Sequence, residues 1–117
     1  PLVPGISDSV KVAPGELLFV SGAGGFENDG SVPTDFSRAV ELTLRDVERA
    51  LHAGGATVSD LVRINVYITE LDDEKLAVFR TVRDTILDLE NVPASTVIGV
   101  HSLFKDSTIE IDAIAAV

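Results

Sequence analysis

Two carboxylates interrupt an apolar run near the carboxyl end of the chain, Ser107–Ala116. Side chains alternate between the two faces of an extended strand, so Glu110 and Asp112 share one face, opposite the main apolar set. A carboxylate in such a position can hold a proton, a water molecule or a polar ligand. The structural alternative is a solvated strand edge or an interface between subunits.

A second strand-like run, Ser95–Ser102, precedes it and carries two further polar candidates. Ser95, Val97 and His101 share one face by the same alternation. His101 can act as an acid or a base near neutral pH, although a lone strand histidine is more typical of a packing or surface role. Ser95 can hydrogen-bond a ligand, but no neighbouring base identifies it as a nucleophile, and no Ser–His–Asp spacing is present.

The charge balance of the chain restricts its partners. The 117 residues carry a formal net charge of −10, which repels phosphate backbones and anionic membrane surfaces, so we expect binding to neither nucleic acid nor membranes. The chain contains no cysteine, which excludes disulfides, thiolate nucleophiles and cysteine-bound zinc. No window approaches the ~20 apolar residues of a membrane span, and the amino end lacks the pattern of a secretory signal. We therefore expect a cytoplasmic location.

Length and hydropathy predict one domain, residues 1–117, that associates with other copies. Hydrophobic residues make up 45% of the chain and the mean hydropathy is +0.30, which is high for a protein of this size. Part of that apolar surface is therefore expected to lie against other subunits.

The amino-terminal part of the chain predicts a β-hairpin. Alternation in Ser9–Ala13, a turn at Pro14-Gly15 and the apolar run Leu17–Ser21 indicate two paired strands. The glycine-rich loop that follows lacks the Gly-Lys-Ser/Thr sequence of a phosphate loop, so we interpret it as a flexible connection.

Two amphipathic helices are predicted, each opened by a short polar residue. Thr34 or Asp35 can cap the first, which runs to about His52, and Asp72 can cap the second. Between them, Leu61–Thr69 alternates apolar and polar residues and is the clearest strand of the chain.

The predicted order is β-β-α-β-α-β-β, with the last two runs forming a second hairpin. This is an α+β arrangement in which two helices cover one face of a small mixed sheet. The other face has no cover in a single chain, and such faces are normally buried by association. We therefore expect a closed oligomer.

Four stretches of the sequence resemble one known family. They are GELLFVSG at 15–22, AGGATVSDLVRINVYITELDD at 53–73, PAST at 93–96 and IEIDAIA at 109–115. On these stretches and on the element order, the chain resembles the Rid (YjgF-like) family, also called reactive intermediate deaminase or endoribonuclease L-PSP. The resemblance implies a chorismate-mutase-like α+β subunit. It also implies a homotrimer with a barrel-like centre and three clefts between subunits.

The resemblance further implies a chemistry. The best-known members hydrolyse reactive imines and enamines formed from amino acids, releasing ammonia and a 2-keto acid, with no metal and no organic cofactor. In this pattern Glu110 is the carboxylate that positions the attacking water, and the backbone of the Ser21-Gly22 corner lines the same site.

Four substrate-binding positions depart from the family pattern. The arginine that clamps the substrate carboxylate is replaced by Ser95, and the cysteine two residues later by Val97. Ile6 stands where the family has a tyrosine near the amino end, and Val78 where it has a helix asparagine. Because serine cannot supply the charge-assisted, bidentate contact of an arginine, the chain resembles the arginine-lacking branches of the family.

Two explanations of this substitution remain open. Either the ligand has no carboxylate, or another cation replaces the arginine. Arg63, Arg80 and Arg83 are the candidates, although arginines on helices and strands are usually surface charges. The sequence therefore predicts a cofactor-independent hydrolase of imines or enamines or, alternatively, a trimer that binds a small metabolite without turnover. Ribonuclease activity, suggested only by the family label, is disfavoured by the acidic composition.

Overall fold

The structure, a computed structural model, describes residues 3–117. The strands of this part of the chain are β1 (Leu17–Ala23), β2 (Leu61–Thr69), β3 (Ala94–Val100) and β4 (Ile109–Ala116). Its α-helices are α1 (Phe36–Ala53) and α2 (Asp73–Ile86). The strands form one mixed sheet in the order β1-β4-β2-β3, and the two helices pack on one face of it. The predicted α+β class is therefore confirmed. Among residues 3–117, neither helix has the length and apolar character needed to cross a bilayer.

Both helices begin at predicted aspartate caps. The side chain of Asp35 accepts a hydrogen bond from the amide of Arg38, and that of Asp72 accepts one from the amide of Lys75. Each bond satisfies one of the amides that the first turn of a helix leaves unpaired. The first helix ends at a glycine pair whose second member, Gly55, has a φ of 83°, which glycine adopts without strain.

The core lies between the helices and the inward side of β2 and β4. Alternate residues of these strands are buried, and the helices contribute the apolar stripe of α1 and a phenylalanine of α2. Burial of each such side chain stabilises the fold by about 1.5–3 kcal/mol relative to exposure. The largest fully buried apolar members are Phe79, Leu44, Leu51, Ile64, Ile68, Ile109 and Ile111.

The strand pairing differs from the predicted carboxyl-terminal hairpin. β3 lies parallel to β2, with Val97 beside Val66, and β4 lies antiparallel to β2 on its other side. The prediction that β3 and β4 form a hairpin is therefore wrong, because β2 separates them. Burial explains this arrangement. Every second residue of β4 is fully buried, as the centre of a sheet requires, whereas no residue of β3 is, which suits an edge.

The predicted first strand, Ser9–Ala13, is also wrong. These residues belong to no strand, because the segment is tied at both ends to other elements. Ser7 forms a parallel bridge with Ala94 at the start of β3, and Glu16 exchanges backbone hydrogen bonds with Val117 after β4. The segment therefore crosses from one part of the sheet to another, and the element order is β-α-β-α-β-β.

The face of the sheet opposite the helices is uncovered, as predicted. Leu17, Phe19 and Ile98 point outward on this face and are 52%, 69% and 46% exposed. Half-buried polar residues of β2 and β4 lie between these apolar side chains. We call this surface the open face.

A buried hydroxyl group joins α1 to the loop that follows β1. The Oγ1 atom of Thr43 accepts a hydrogen bond of 2.9 Å from the amide of Gly25 and donates one of 2.7 Å to the carbonyl of Ala39. A Cβ atom at Gly25 would collide with the backbone of Thr43. The glycine therefore lets the loop backbone reach the helix, and Thr43 supplies the acceptor that the buried amide needs.

Thr43→Val is expected to lower the free energy of unfolding by about 1–3 kcal/mol, because it leaves the buried Gly25 amide without an acceptor. Thr43→Ser keeps the hydroxyl group and removes one methyl group, worth about 0.8 kcal/mol. Denaturant melts give both free energies, and amide hydrogen exchange reports on Gly25 directly. Equal exchange of the Gly25 amide in the two variants would contradict this role for Thr43.

Candidate functional site

A cavity of about 210 Å³ lies between the edge strand β3, helix α2 and the amino-terminal segment. It brings together three of the predicted substrate-binding residues, Ile6, Ser95 and Val97. These residues lie far apart in the sequence, so the fold alone assembles them. We call this volume the β3 cavity.

Simple periodicities explain which side chains reach the β3 cavity. Ser95 and Val97 are two residues apart and pair with buried residues of β2, so both point to the helix side of the sheet. On α2, Leu76, Arg80 and Arg83 line the cavity, and their spacing of four and three residues places them on one side of the helix. Two arginines of the helix therefore border the cavity.

Arg83 is not the solvated charge that the sequence predicts. Only 3% of the residue is exposed. Its Nε donates a hydrogen bond of 2.9 Å to the carboxylate of Asp84, and its Nη2 donates a longer one of 3.3 Å to the carbonyl of Pro4. The guanidinium also lies 5.8 Å from the centre of the Phe79 ring, a favourable distance for a cation and an aromatic face.

The amino-terminal segment covers this arginine, which explains the failed prediction. Gly5 packs so closely on the guanidinium that a Cβ atom at this position would overlap Nη2 of Arg83. Gly5 also has a φ of 84°, in the left-handed region that favours glycine. The burial of Arg83 thus depends on residues that lie about eighty positions earlier, which helix periodicity cannot reveal.

Two other polar groups of the β3 cavity lack partners. Arg80 is half-buried and makes no hydrogen bond or ion pair with residues 3–117. The Oγ atom of Ser95 is buried and has no hydrogen-bond partner either. Buried polar atoms are nearly always satisfied in folded proteins, so an unpaired hydroxyl group beside a cavity indicates a place for a ligand or water.

Glu110 lies on the open face, on the other side of the sheet from the β3 cavity. Its strand neighbour is Tyr67, which points away from the core. The Glu110 carboxylate packs against the backbone of Gly22, where a Cβ atom would lie 2.8 Å from its Cδ. Within residues 3–117 this carboxylate makes no hydrogen bond or ion pair, so it is free to accept one.

The remaining predicted residues lie outside the β3 cavity. Ser21 is exposed next to Gly22 and borders a separate cavity of about 270 Å³ beside α1. His101 is exposed after the end of β3. A single chain therefore divides the predicted site into two parts: the β3 cavity with Ile6, Ser95 and Val97, and the Glu110–Gly22 contact on the other face.

Reasoning from the sequence missed a polar network on the open face. Asp112 accepts a hydrogen bond of 2.8 Å from the Asn65 amide and one of 2.9 Å from the Tyr67 hydroxyl. Arg63 donates to Asn65 at 3.2 Å and to Thr96 at 2.6 Å, so it does not enter the β3 cavity. The alternating polar residues of β2 indicated a polar face of the sheet. This pattern did not show that Asn65 and Tyr67 both donate to Asp112.

The network changes the acidity of the tyrosine. The hydrogen bond to Asp112 raises the pKa of Tyr67, and burial and the negative charges of Asp112 and Glu110 add to this effect. All of these favour the neutral phenol, because the phenolate would be a second negative charge beside a carboxylate.

Comparison with known proteins finds one family that matches almost the whole chain. The family described as Endoribonuclease L-PSP matches residues 6–117. The Escherichia coli protein named 2-iminobutanoate/2-iminopropanoate deaminase is 32% identical over 88 residues, which are 74% of this chain and 67% of that protein.

Two solved structures share the whole fold. A Yersinia pestis protein of the conserved Rid family, YyfB, aligns with a TM-score of 0.86 and 26% identity, covering 97% of this chain and 87% of that one. Escherichia coli TdcF with bound serine aligns with a TM-score of 0.79 and 28% identity, covering 97% and 92%.

The phenol of Tyr67 can be titrated without interference, because the chain has one tyrosine and no tryptophan. We expect a midpoint above the ordinary value of about 10, and a lower midpoint in Asp112→Asn. Since the folded pKa is raised, the contact stabilises the fold below the unfolded pKa, and this stabilisation is lost as the pH rises through the folded pKa. Ultraviolet absorbance of the phenolate measures the midpoint. Asp29→Asn, in an exposed loop, is the control and should leave it unchanged; an unshifted midpoint in Asp112→Asn would contradict the network.

Proposed function

The chain belongs to the endoribonuclease L-PSP (Rid) family, and we propose that it hydrolyses small imine or enamine metabolites in clefts between its subunits. A relative whose name describes an iminobutanoate and iminopropanoate deaminase supports this reaction class. The structure of TdcF with bound serine supports a ligand of amino-acid size.

The observation that carries the proposal is the assembly of the β3 cavity. Three positions assigned to substrate binding by family resemblance, Ile6, Ser95 and Val97, border one small volume. Two arginines also border this volume, and the buried Oγ atom of Ser95 at its wall has no hydrogen-bond partner. Such a mixture of apolar walls and a few converging polar groups is typical of a small-molecule site.

A complete site requires a second copy of the chain. Glu110 and the β3 cavity lie on opposite faces of one sheet, so no ligand held by one chain in the cavity can touch its own Glu110. The open face carries exposed Leu17, Phe19 and Ile98, and association would remove this apolar surface from water. We therefore propose a homotrimer in which Glu110 of one subunit faces the β3 cavity of the next.

The reaction would follow from the chemistry of a free carboxylate. Glu110 accepts a proton from water, the water oxygen attacks the carbon of the C=N bond, and the proton passes to nitrogen. Collapse of the intermediate releases ammonia and leaves a carbonyl group in place of the imine. One water is consumed for each ammonia released, and neither oxidant nor reductant is needed. His101 and Ser21 take no part in these steps.

The cytoplasmic location stays a prediction from the sequence.

A second candidate is a trimer that binds a metabolite without converting it. The observation that favours it is Ser95, which provides no charge at the position of the family's substrate-binding arginine. Both candidates use the same cavity, and turnover distinguishes them.

Glu110→Gln is expected to reduce ammonia release from iminopropanoate by about 10²–10⁴-fold, because the amide cannot accept the proton from water. The imine is generated from alanine by an amino-acid oxidase, and spontaneous hydrolysis is subtracted. Glu90→Gln, an exposed glutamate in the turn after α2, is the control and should retain the wild-type rate. Equal rates in wild type, Glu110→Gln and a blank would reject the hydrolase and leave the binding protein.

Phe19→Asp is expected to weaken subunit association at least about tenfold, since burial of an unpaired carboxylate in an interface is unfavourable. Leu89→Asp is a matched control, because Leu89 is 56% exposed but lies in the turn after α2, away from the open face. Light scattering over a dilution series gives the mass of each variant. A wild-type protein that stays a single chain at every concentration would disprove the proposed trimer.

A further inference from the structure

We propose that Arg80 and Arg83 of α2 bind the anionic group of the ligand in the β3 cavity, in place of an arginine on β3. The cation that is missing at Ser95 would thus come from the neighbouring helix. This inference deepens the proposed function and rests on it for the reaction, but the binding of an anion can be tested without turnover.

The first argument is the local charge. The chain has 19 acidic and 9 basic residues, yet both ionisable side chains that border the β3 cavity are arginines. The one carboxylate bound to them, Asp84, contacts Nε of Arg83 and is 42% exposed at the side chain. The cavity is therefore a positive region in an acidic protein, and an anion would be attracted to it.

The second argument is the supply of hydrogen-bond donors. A guanidinium group has five N–H donors in a planar fork that matches a carboxylate. In Arg83, Nε donates a hydrogen bond to the Asp84 carboxylate, and Nη2 donates a long one to the Pro4 carbonyl. Arg80 bonds to no residue in the range 3–117. The Oγ atom of Ser95, on the strand side of the cavity, is buried and also unpaired.

The third argument is rigidity. Arg83 is held by Asp84, by the Phe79 ring and by close packing of Gly5. A charged group fixed in this way loses little conformational freedom when an anion arrives. Arg80 is less buried than Arg83 and has no partner among residues 3–117. Its side chain can therefore move toward a ligand from the solvent.

The size and lining of the cavity define the ligand class. Its volume of about 210 Å³ corresponds to roughly seven water molecules at about 30 Å³ each. The walls other than the polar groups are Val3, Ile6, Leu76 and Val97. A single carboxylate on a short aliphatic chain matches this part of the lining, and the neighbouring subunit would complete the site.

The test compares two probes of nearly equal shape, pyruvate and its uncharged amide, pyruvamide. Ligand-observed NMR titrations at neutral pH and at two salt concentrations give the affinity of each. Wild type is expected to bind pyruvate at least about tenfold more tightly than pyruvamide, since a hydrogen-bonded charge pair is worth that much. The preference should decline with salt.

Three variants locate the source of the preference. Arg80→Gln is expected to abolish it, and Arg83→Lys to reduce it, because an ammonium lacks the planar fork. Arg45→Gln removes a guanidinium that is paired with Glu48 on α1, and should change nothing. Circular dichroism melts verify that each variant is folded. Because Arg80 is only half-buried, its variant keeps the test valid if the Arg83 variant does not fold.

The outcomes separate this inference from the proposed reaction. Absence of a pyruvate preference in wild type, or an unchanged preference in Arg80→Gln, would overturn the anion site whatever the rate of ammonia release. A preference that depends on Arg80 would support the anion site, even if Glu110→Gln left ammonia release unchanged and thereby rejected the hydrolase.

Discussion

The alternation of side chains along three adjacent strands determines most of this molecule. In β2, β3 and β4, one set of alternate residues packs under the helices, and the other set forms the open face. The same rule that builds the core also separates Glu110 from Ser95, because the two residues occupy opposite sets. One sheet cannot present both to the same ligand, so any reaction that uses both needs a neighbouring subunit.

Burial of an arginine is the second constraint, and it connects local sequence to distant structure. A guanidinium group loses much hydration when it is covered, and partial pairing with an exposed carboxylate compensates only in part. In the structure Pro4, Gly5 and the Phe79 ring contact the guanidinium of Arg83, and a small cavity lies beside it. Such an arrangement has a higher desolvation cost than a solvated arginine on the same helix.

Helix caps and amphipathic stripes were predictable because they depend on residues within one or two turns. Asp35 and Asp72 have the expected roles. Strand pairing was not predictable in the same way. Adjacent runs such as β3 and β4 suggest a hairpin, but β4, which is more apolar and more buried, lies inside the sheet, and β3 lies at its edge.

The family resemblance predicted three residues of the candidate site, Ile6, Ser95 and Val97. The sequence alone does not place Arg80 and Arg83 at this cavity, since neither the cover over Arg83 nor the position of β3 is encoded locally.

The close packing of Gly5 on Arg83 also links two positions in the history of the protein. A larger residue at position 5 would have to displace the guanidinium group of Arg83. Substitutions at these two sites are therefore coupled: position 5 can carry a larger side chain only if the residue at 83 is smaller and the backbone angle at position 5 also changes.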